Sequence, residues 1–490
     1  RPRRFGKSLL ISTLECYFQG KKELFKGLAI EQLEKEWKQY PVFHLDFNGK
    51  DFTQAGELEK TLQTFVETQE LNYGRNPLAN TLGDRFMAVL KAAHEKTGLG
   101  AVVLIDEYDK PLLDVLDTGL KTFDSEGNER LLEDRHREIM KGFYSVFKAA
   151  DRDLKFVLLT GVTKSSQVSV FSGFNQPDDI SMDDRYEALC GITEEELYSV
   201  FDEQIKAMAA RYKVSEDEMK YRLKRKYDGY HFSPSMLDIY NPFSLLNALD
   251  AQDLSCFWVS SGATSMLPKF VDNMELRLRN FENCPILRKT LESSDVINGG
   301  AELFLYQTGY LTIKSSDEFG YFLGFPNQEV KQALYEVVLP SLTMKSESDI
   351  ISLQGSLFRQ LGTGQIADAM KTLKALVADV PYSNKKLASM DMEERYRLII
   401  STILNAIGLK VEVEHMLATE RIDLIAQTSR YIYVIELKLK NNGGKKAAIQ
   451  QILDNKYLEP FMADKRKVIG LGIELDEEGK GLLDWKITEE

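Results

Sequence analysis

Apolar and polar residues fall into two rhythms along this chain, short unbroken apolar runs and longer stretches with helical spacing. Ala101-Val102-Val103-Leu104-Ile105 is a continuous apolar run closed by Asp106 and Glu107. That is the pattern of a buried parallel strand delivering acids at its C-terminal edge. Lys155–Gly161 repeats it, and Val42–Phe47 does so with less regular alternation. Helical periods at Glu57–Glu70 and Glu138–Ala150 separate these runs, which predicts an α/β fold with a mainly parallel sheet. Residues 195–345 are largely helical in pattern, including Glu194–Lys213 and Ser215–Lys226. Leu303–Ile313 followed by Gly320–Phe325 predicts a strand–turn–strand unit beside helices, either a winged-helix-like module or a spacer. The region is not notably basic, which favours the spacer.

Toward the C-terminus the period changes again. At 100° per residue, the predicted helix Asp391–Ile407 gathers Tyr396, Ile399, Ile400, Ile403, Leu404 and Ile407 on one face. Glu393 falls on that stripe, while Glu394 points out with Ser401 and Asn405. An acid there either contributes to a site or simply favours the helix N-terminus. The run Tyr431–Leu439 is strand-like, so Tyr433, Ile435, Leu437 and Leu439 line one face. Glu436 and Lys438 share the other. An acid and an ammonium on so apolar a strand carry a desolvation cost that a metal and a second carboxylate offset. Asp423, in Arg421–Ile425, supplies that carboxylate. The expectation is a Mg²⁺ held between Asp423 and Glu436, with Lys438 orienting a water or stabilising charge on a phosphate. An edge strand with an ordinary Glu–Lys pair is the plainer alternative, and Asp423 tips the reading toward the metal.

The front of the chain carries a second candidate. Arg1-Pro2-Arg3-Arg4-Phe5-Gly6-Lys7-Ser8 reads as a phosphate-binding loop with Arg1 in place of its first glycine. In such a loop backbone N–H groups wrap the phosphates, the lysine reaches the outer ones and the hydroxyl holds Mg²⁺. The partner acids are Asp106, holding the Mg²⁺ through its water shell, and Glu107, polarising the attacking water. Thr160 ends a neighbouring run and is placed to sense the γ-phosphate. Arg1, Arg3 and Arg4 add cationic grip, or else Arg1 restricts a backbone that glycine would leave free. ATP binding is expected, with hydrolysis as the reading and binding alone as its alternative.

Composition narrows these readings. With 490 residues, about two to four domains are expected. No run of about 20 uncharged apolar residues is present, so no membrane span is expected. Cys16, Cys190, Cys256 and Cys284 lie far apart, as do His44, His94, His136, His231 and His415. That spacing fits a reducing cytoplasm and leaves metal chemistry to carboxylates. Net charge is −13, yet residues 421–470 hold ten Lys/Arg against five Asp/Glu. A basic surface around an acidic pocket suits a phosphodiester, although such a surplus also occurs on inert surfaces. Asn441–Lys446 is a flexible basic loop suited to a DNA backbone.

Taken together, Arg1–Ser8, Asp106–Pro111 and Thr160–Lys164 resemble the AAA-ATPase-like family of bacteria and archaea. Phe171–Asn175, Leu189–Leu197, Tyr227–Phe232 and Tyr240–Ser244 extend the resemblance in the same order. The family usually carries a C-terminal PD-(D/E)xK nuclease domain, matched here by Arg421-Ile422-Asp423, Glu436-Leu437-Lys438 and Ala448–Ile452. Glu420 stands where a glycine is common, adding negative charge near the pocket. The resemblance implies a lead-in before Arg1 and places Gln451, rather than Gln450, toward the nuclease site. It implies three parts: a P-loop NTPase domain over 1–232, a helical or winged-helix-like middle over 233–345, and a restriction-endonuclease-like α/β domain over 346–490. The resulting expectation is a cytoplasmic prokaryotic protein that binds ATP and Mg²⁺ (or Mn²⁺) and acts on nucleic acid, DNA before RNA. The ATP site would comprise Arg4, Gly6, Lys7, Ser8, Asp106, Glu107 and Thr160. The nuclease site would comprise Asp423, Glu436 and Lys438, supported by Gln451 and Glu393. A non-cleaving, ATP-switched nucleic-acid-binding or regulatory protein is the alternative.

Overall fold

The structure, a computed structural model, describes residues 1–489 except 117, 125, 163–176, 259–280, 292–299, 344–346, 379–390 and 418–419. The strings Thr163-Lys164 and Phe171–Asn175 lie outside the described residues. The chain divides into two units. One comprises Arg1–Asp202, Tyr230–Phe243 and Pro285–Leu323; the other comprises Glu203–Gly229, Ser244–Cys284 and Gly324–Glu490. Residues 233–345 thus contribute to both.

In the first unit the apolar runs form a parallel three-stranded sheet in the order β1 (Val42–Asp46), β2 (Ala101–Asp106), β3 (Leu154–Leu159). Every residue of β2 is buried, because helices cover both of its faces. Val102 and Leu104 pack with Ile11 and Phe18 of α1 (Lys7–Phe18). Ala101, Val103 and Ile105 face a larger core built from α2 (Glu57–Tyr73), α3 (Leu82–Thr97) and α4 (Leu132–Tyr144). Two-sided burial explains why β2 is apolar without alternation. Asp106 is the first acid on it, at the C-terminal edge.

The expected strand at Leu303 is instead helical over Gly300–Thr308. Strands follow at Thr312–Ser316 and Gly320–Gly324, in a sheet whose third member is Cys284–Leu287. A short apolar run fits a buried helix as well as a buried strand; Gly300 and Gly309, both at positive φ, bracket this one.

In the second unit, α5 (Met392–Ala406) leads into a five-stranded sheet ordered β4 (Lys410–Met416), β5 (Arg421–Gln427), β6 (Tyr431–Leu439), β7 (Lys467–Leu475), β8 (Leu482–Glu489). Only β6 and β7 run parallel. The connection between them is α6 (Gly444–Asp454), whose Ile449 and Ile452 pack with Ile432 and Val434. Gly472 faces α6, and a Cβ there would stand 2.9–3.0 Å from Ile449 and Ala448. Its lack of a side chain lets helix and sheet close up.

The six expected apolar positions of α5 are all buried. Ser401 and Asn405, expected to point out, are buried too, since helix Gln328–Thr343 packs against α5. Both donate within the helix itself: Ser401 Oγ to the Leu398 carbonyl at 2.9 Å and Asn405 Nδ2 to that of Ser401 at 2.8 Å, while Asn405 Oδ1 is buried without a hydrogen-bond partner among the described residues.

Candidate functional site

Strand register brings the C-terminal candidates together. Leu424 pairs with Ile435, so one further step sets Asp423 opposite Glu436. Asp423 Oδ2 accepts the Leu437 N–H at 3.0 Å, fixing its carboxylate between the two strands. Lys438 shares the Glu436 face, with Nζ 3.3 Å from Glu436 Oε1. Glu436 is only 1% exposed, and its Oε2 is buried with no hydrogen-bond partner among the described residues. Burial, with the Asp423 charge beside it, pushes the Glu436 carboxyl up to about 8, and Lys438 opposes the shift. An orphaned carboxylate oxygen beside a second carboxylate is what a divalent cation would satisfy. Among the described residues no three His, Cys, Asp or Glu groups converge as a ready cluster. Two carboxylates still suit Mg²⁺, which keeps several waters.

The supporting residues lie nearby, each with its own partner. Glu393 Oε1 accepts the Leu439 N–H and Asn442 Nδ2, both at 3.0 Å. It thereby fastens the end of β6 one residue beyond Lys438. Asp391, the N-cap, takes the Glu393 and Glu394 amides. Gln451 Nε2 donates to the Tyr457 hydroxyl at 3.2 Å, which in turn donates to the Arg421 carbonyl at 3.1 Å. Gln450 is exposed and bonds Asp454. Exposed Glu420 returns its carbonyl to the Leu417 N–H. Lys440, at the start of the β6–α6 connection, and Lys446, in the first turn of α6, are exposed; of the expected flexible basic loop Asn441–Lys446, the part from Gly444 on is helical.

Sequence reasoning missed two members. Arg397 of α5 is nearly buried, donating Nη1 to Asp423 Oδ1 at 2.7 Å, while its Nη2 lies 2.9 Å from Glu414 Oε1. Glu414 lies opposite Asp423 by register, between the Val413–Leu424 and His415–Ile422 pairs, with a left-handed φ of 54°. Helical periodicity places Arg397 one turn beyond Glu393, which was the available clue. Nothing in the local sequence signals the backbone turn at Glu414.

The front site gathers at the C-terminal edge of β2 and the start of α1. Gly6 takes φ 85° before Lys7, and no side chain caps the helix there. A Cβ at Gly6 would meet nothing within 4 Å, so conformation rather than space selects glycine. Lys7 is buried, with Nζ donating to the Pro2 carbonyl at 2.8 Å. Burial draws its pKa below the ordinary lysine value against the charges of Asp109, Glu107 and Asp106. Asp106 Oδ1 accepts the Thr160 hydroxyl at 2.5 Å and the Glu107 N–H at 3.0 Å. Glu107 has a left-handed φ of 50°. Burial raises its pKa, with Arg3 and Lys7 opposing and Asp109 and Asp106 reinforcing the shift. Asp109, missed from sequence, holds the Val162 N–H at 3.0 Å. Uncapped helical N–H groups, a buried lysine and three acids fit a nucleotide phosphate with its magnesium.

Three expected participants have other engagements. The Arg1 guanidinium donates to the carbonyls of Ser181, Tyr186, Glu187 and Leu189 and stacks on Phe232 at 4.2 Å. Arg4, at φ 69°, lies over Phe243 at 4.6 Å. Thr160 is spent on Asp106. Ser8 is exposed on the first turn of α1.

No helix among the described residues is long and apolar enough to cross a membrane. A protein of Azotobacter chroococcum mcd 1, described as an uncharacterized protein in the vnfD 5′ region, is 29% identical over 494 residues, covering 99% of this chain and 91% of that one. Residues 1–171 match the family model of a predicted AAA-ATPase, and residues 391–485 match that of the PD-(D/E)XK nuclease superfamily. The chain therefore carries an AAA-ATPase-like domain at its front and a PD-(D/E)XK nuclease superfamily domain near its end.

Proposed function

We propose that the C-terminal domain cleaves phosphodiesters of DNA with a divalent cation, and that ATP bound at the front domain gates this cleavage. The buried, partnerless Glu436 Oε2 beside Asp423 carries the reading, because an apolar sheet tolerates that oxygen poorly without a cation. When bound, Mg²⁺ or Mn²⁺ supplies positive charge to a phosphate oxygen and acidifies a water. Lys438 stabilises developing charge on the phosphate from the same face. Glu393 keeps Lys438 in place through the Leu439 amide, and Gln451 supports β5 through Tyr457, whose hydroxyl donates to the Arg421 carbonyl. At the front, Lys7 takes the outer phosphates, Ser8 and Asp106 hold the magnesium, and Glu107 polarises water for hydrolysis.

A non-cleaving reading draws on one observation, the Arg397 guanidinium already paired with Asp423. Incubating the full chain with plasmid, single-stranded DNA and RNA, with Mg²⁺ or Mn²⁺ and with or without ATP, separates the two. Cleavage that depends on ATP and disappears in Lys438→Ala supports the proposal. Binding without cleavage by the unmodified chain in every condition supports the alternative.

A further inference from the structure

Arg397 places a permanent positive charge against two acids of the candidate site, Asp423 and Glu414. Its guanidinium reaches Asp423 Oδ1 at 2.7 Å and Glu414 Oε1 at 2.9 Å, and its Nε is buried without a partner among the described residues. A buried arginine is held this way only by matching acids on both arms. Glu414 comes to it through a left-handed backbone inside a β-strand, a conformation costly for a residue with a side chain. The three acids Glu414, Asp423 and Glu436 then divide in two. Arg397 holds Oδ1 of Asp423 and, together with Arg421 Nη1 at 3.3 Å, Oε1 of Glu414, while Glu436 Oε2 is buried and unpartnered among the described residues.

We propose that Arg397 fixes the nuclease site to a single divalent ion, by occupying the Glu414–Asp423 side as a resident cation and leaving only the Asp423–Glu436 side for metal. This rests on the metal site proposed above. Arg397 is a positioning residue here. It orients Asp423 and neutralises Glu414, so the charge seen by the metal is set by the pair rather than by Asp423 alone. Phosphodiester chemistry at this site would then proceed with one metal and Lys438, rather than with two ions clamping the attacking and leaving oxygens.

The test is Mn²⁺ binding to the nucleotide-free full chain, with free Mn²⁺ followed by electron paramagnetic resonance. The unmodified chain should show one site that Glu436→Gln removes. Arg397→Gln should bind that first ion at least about tenfold more tightly, since a unit charge is lost a few ångströms away. It should also gain a second, weaker site that disappears in the double variant Arg397→Gln/Glu414→Gln. Glu414→Gln alone should weaken the first site at least about tenfold, because Arg397 is then balanced by Asp423 alone and Arg421 loses its acid. A purely structural role would weaken binding in both single variants. Arg397→Lys keeps the charge and should stay at one site, which preserves the test if Arg397→Gln folds poorly. Two sites in the unmodified chain, or no gain of affinity in a folded Arg397→Gln, overturns the inference alone. No site sensitive to Glu436→Gln overturns the metal reading itself.

Discussion

Replacing Glu436 by Gln should stabilise the metal-free protein while removing its response to metal. In the folded chain this carboxyl is buried beside Asp423, and its pKa rises from the ordinary 4.5 to about 8. A raised carboxyl means that the folded state keeps a proton the unfolded chain has already released. Between pH 4.5 and 8 the unfolded chain binds fewer protons, so stability falls as pH climbs through that window. Above it the full penalty applies. At 1.36 kcal/mol per pKa unit the ceiling is about 5 kcal/mol, and coupling to Asp423 and Lys438 reduces the realised gain to roughly 1–3 kcal/mol. Gln has nearly the same shape, and its amide oxygen can still accept from Lys438 Nζ. Hydrogen exchange of the Tyr431–Leu439 amides reads the strand's local stability in the intact chain. With chelator at pH 9, Glu436→Gln should exchange more slowly than the unmodified protein, and at pH 5 the two should agree. Adding Mg²⁺ should slow exchange in the unmodified chain only. Faster exchange in the chelated variant at pH 9 would show that Glu436 is satisfied without metal, and the reasoning would fail.

Other substitutions probe single links. Lys438→Ala should lower plasmid cleavage at least about 100-fold, with Mn²⁺ still bound and circular dichroism unchanged. Glu107→Gln should retain ATP in a filter-binding assay but lose phosphate release, whereas Lys7→Ala should lose binding itself. Gly6→Ala should cost about 1–2 kcal/mol through its φ of 85° alone, since its Cβ meets no atom; denaturant unfolding measures this. Gly472→Ala should push α6 off the sheet, because its Cβ would lie 2.9 Å from Ile449 Cγ1. Both strand protection and cleavage should then decline.

How much of this was legible beforehand follows from what each contact depends on. The Asp423–Glu436–Lys438 grouping needs only a period of two and one hairpin register, so sequence pattern reaches it. Asp106 and Glu107 are legible for the same reason, as acids ending a run buried on both sides. Arg397 was hidden because α5 is enclosed all round, and an amphipathic reading assigns its polar residues to solvent. The helix at Gly300–Thr308 was hidden because nine residues of mixed apolar character carry no decisive period. Arg1 was misjudged because its partners are backbone carbonyls about 180 residues away, and carbonyls leave no trace in side-chain chemistry.

The two units share one structural device at their candidate sites, and it can be tested directly. Glu107 and Glu414 are the only acids among the described non-glycine residues with positive φ, and each has a cation close by, Lys7 or Arg397. Left-handed backbone at a residue bearing a side chain costs on the order of 1–2 kcal/mol. Positive φ alone does not mark function, since Trp37, Lys213, Gln252 and Lys456 share it away from either site. The distinguishing feature is an acid that feels nearby cationic charge, from Arg3 and Lys7 at Glu107 and from Arg397 and Arg421 at Glu414. Glycine at either position relieves the backbone and deletes the carboxylate, so its two effects have opposite signs. At Glu107, where the carboxylate itself is desolvated, relief should dominate, and Glu107→Gly should unfold at higher denaturant while losing ATP turnover. At Glu414 the lost partner leaves Arg397 buried with Asp423 alone, a cost of several kcal/mol by analogy with broken buried pairs. Glu414→Gly should therefore unfold at lower denaturant despite the same backbone relief. A matching direction in both variants would mean that the cation contact at Glu414 contributes little to stability, and the partition of charge around Asp423 would have to be redrawn.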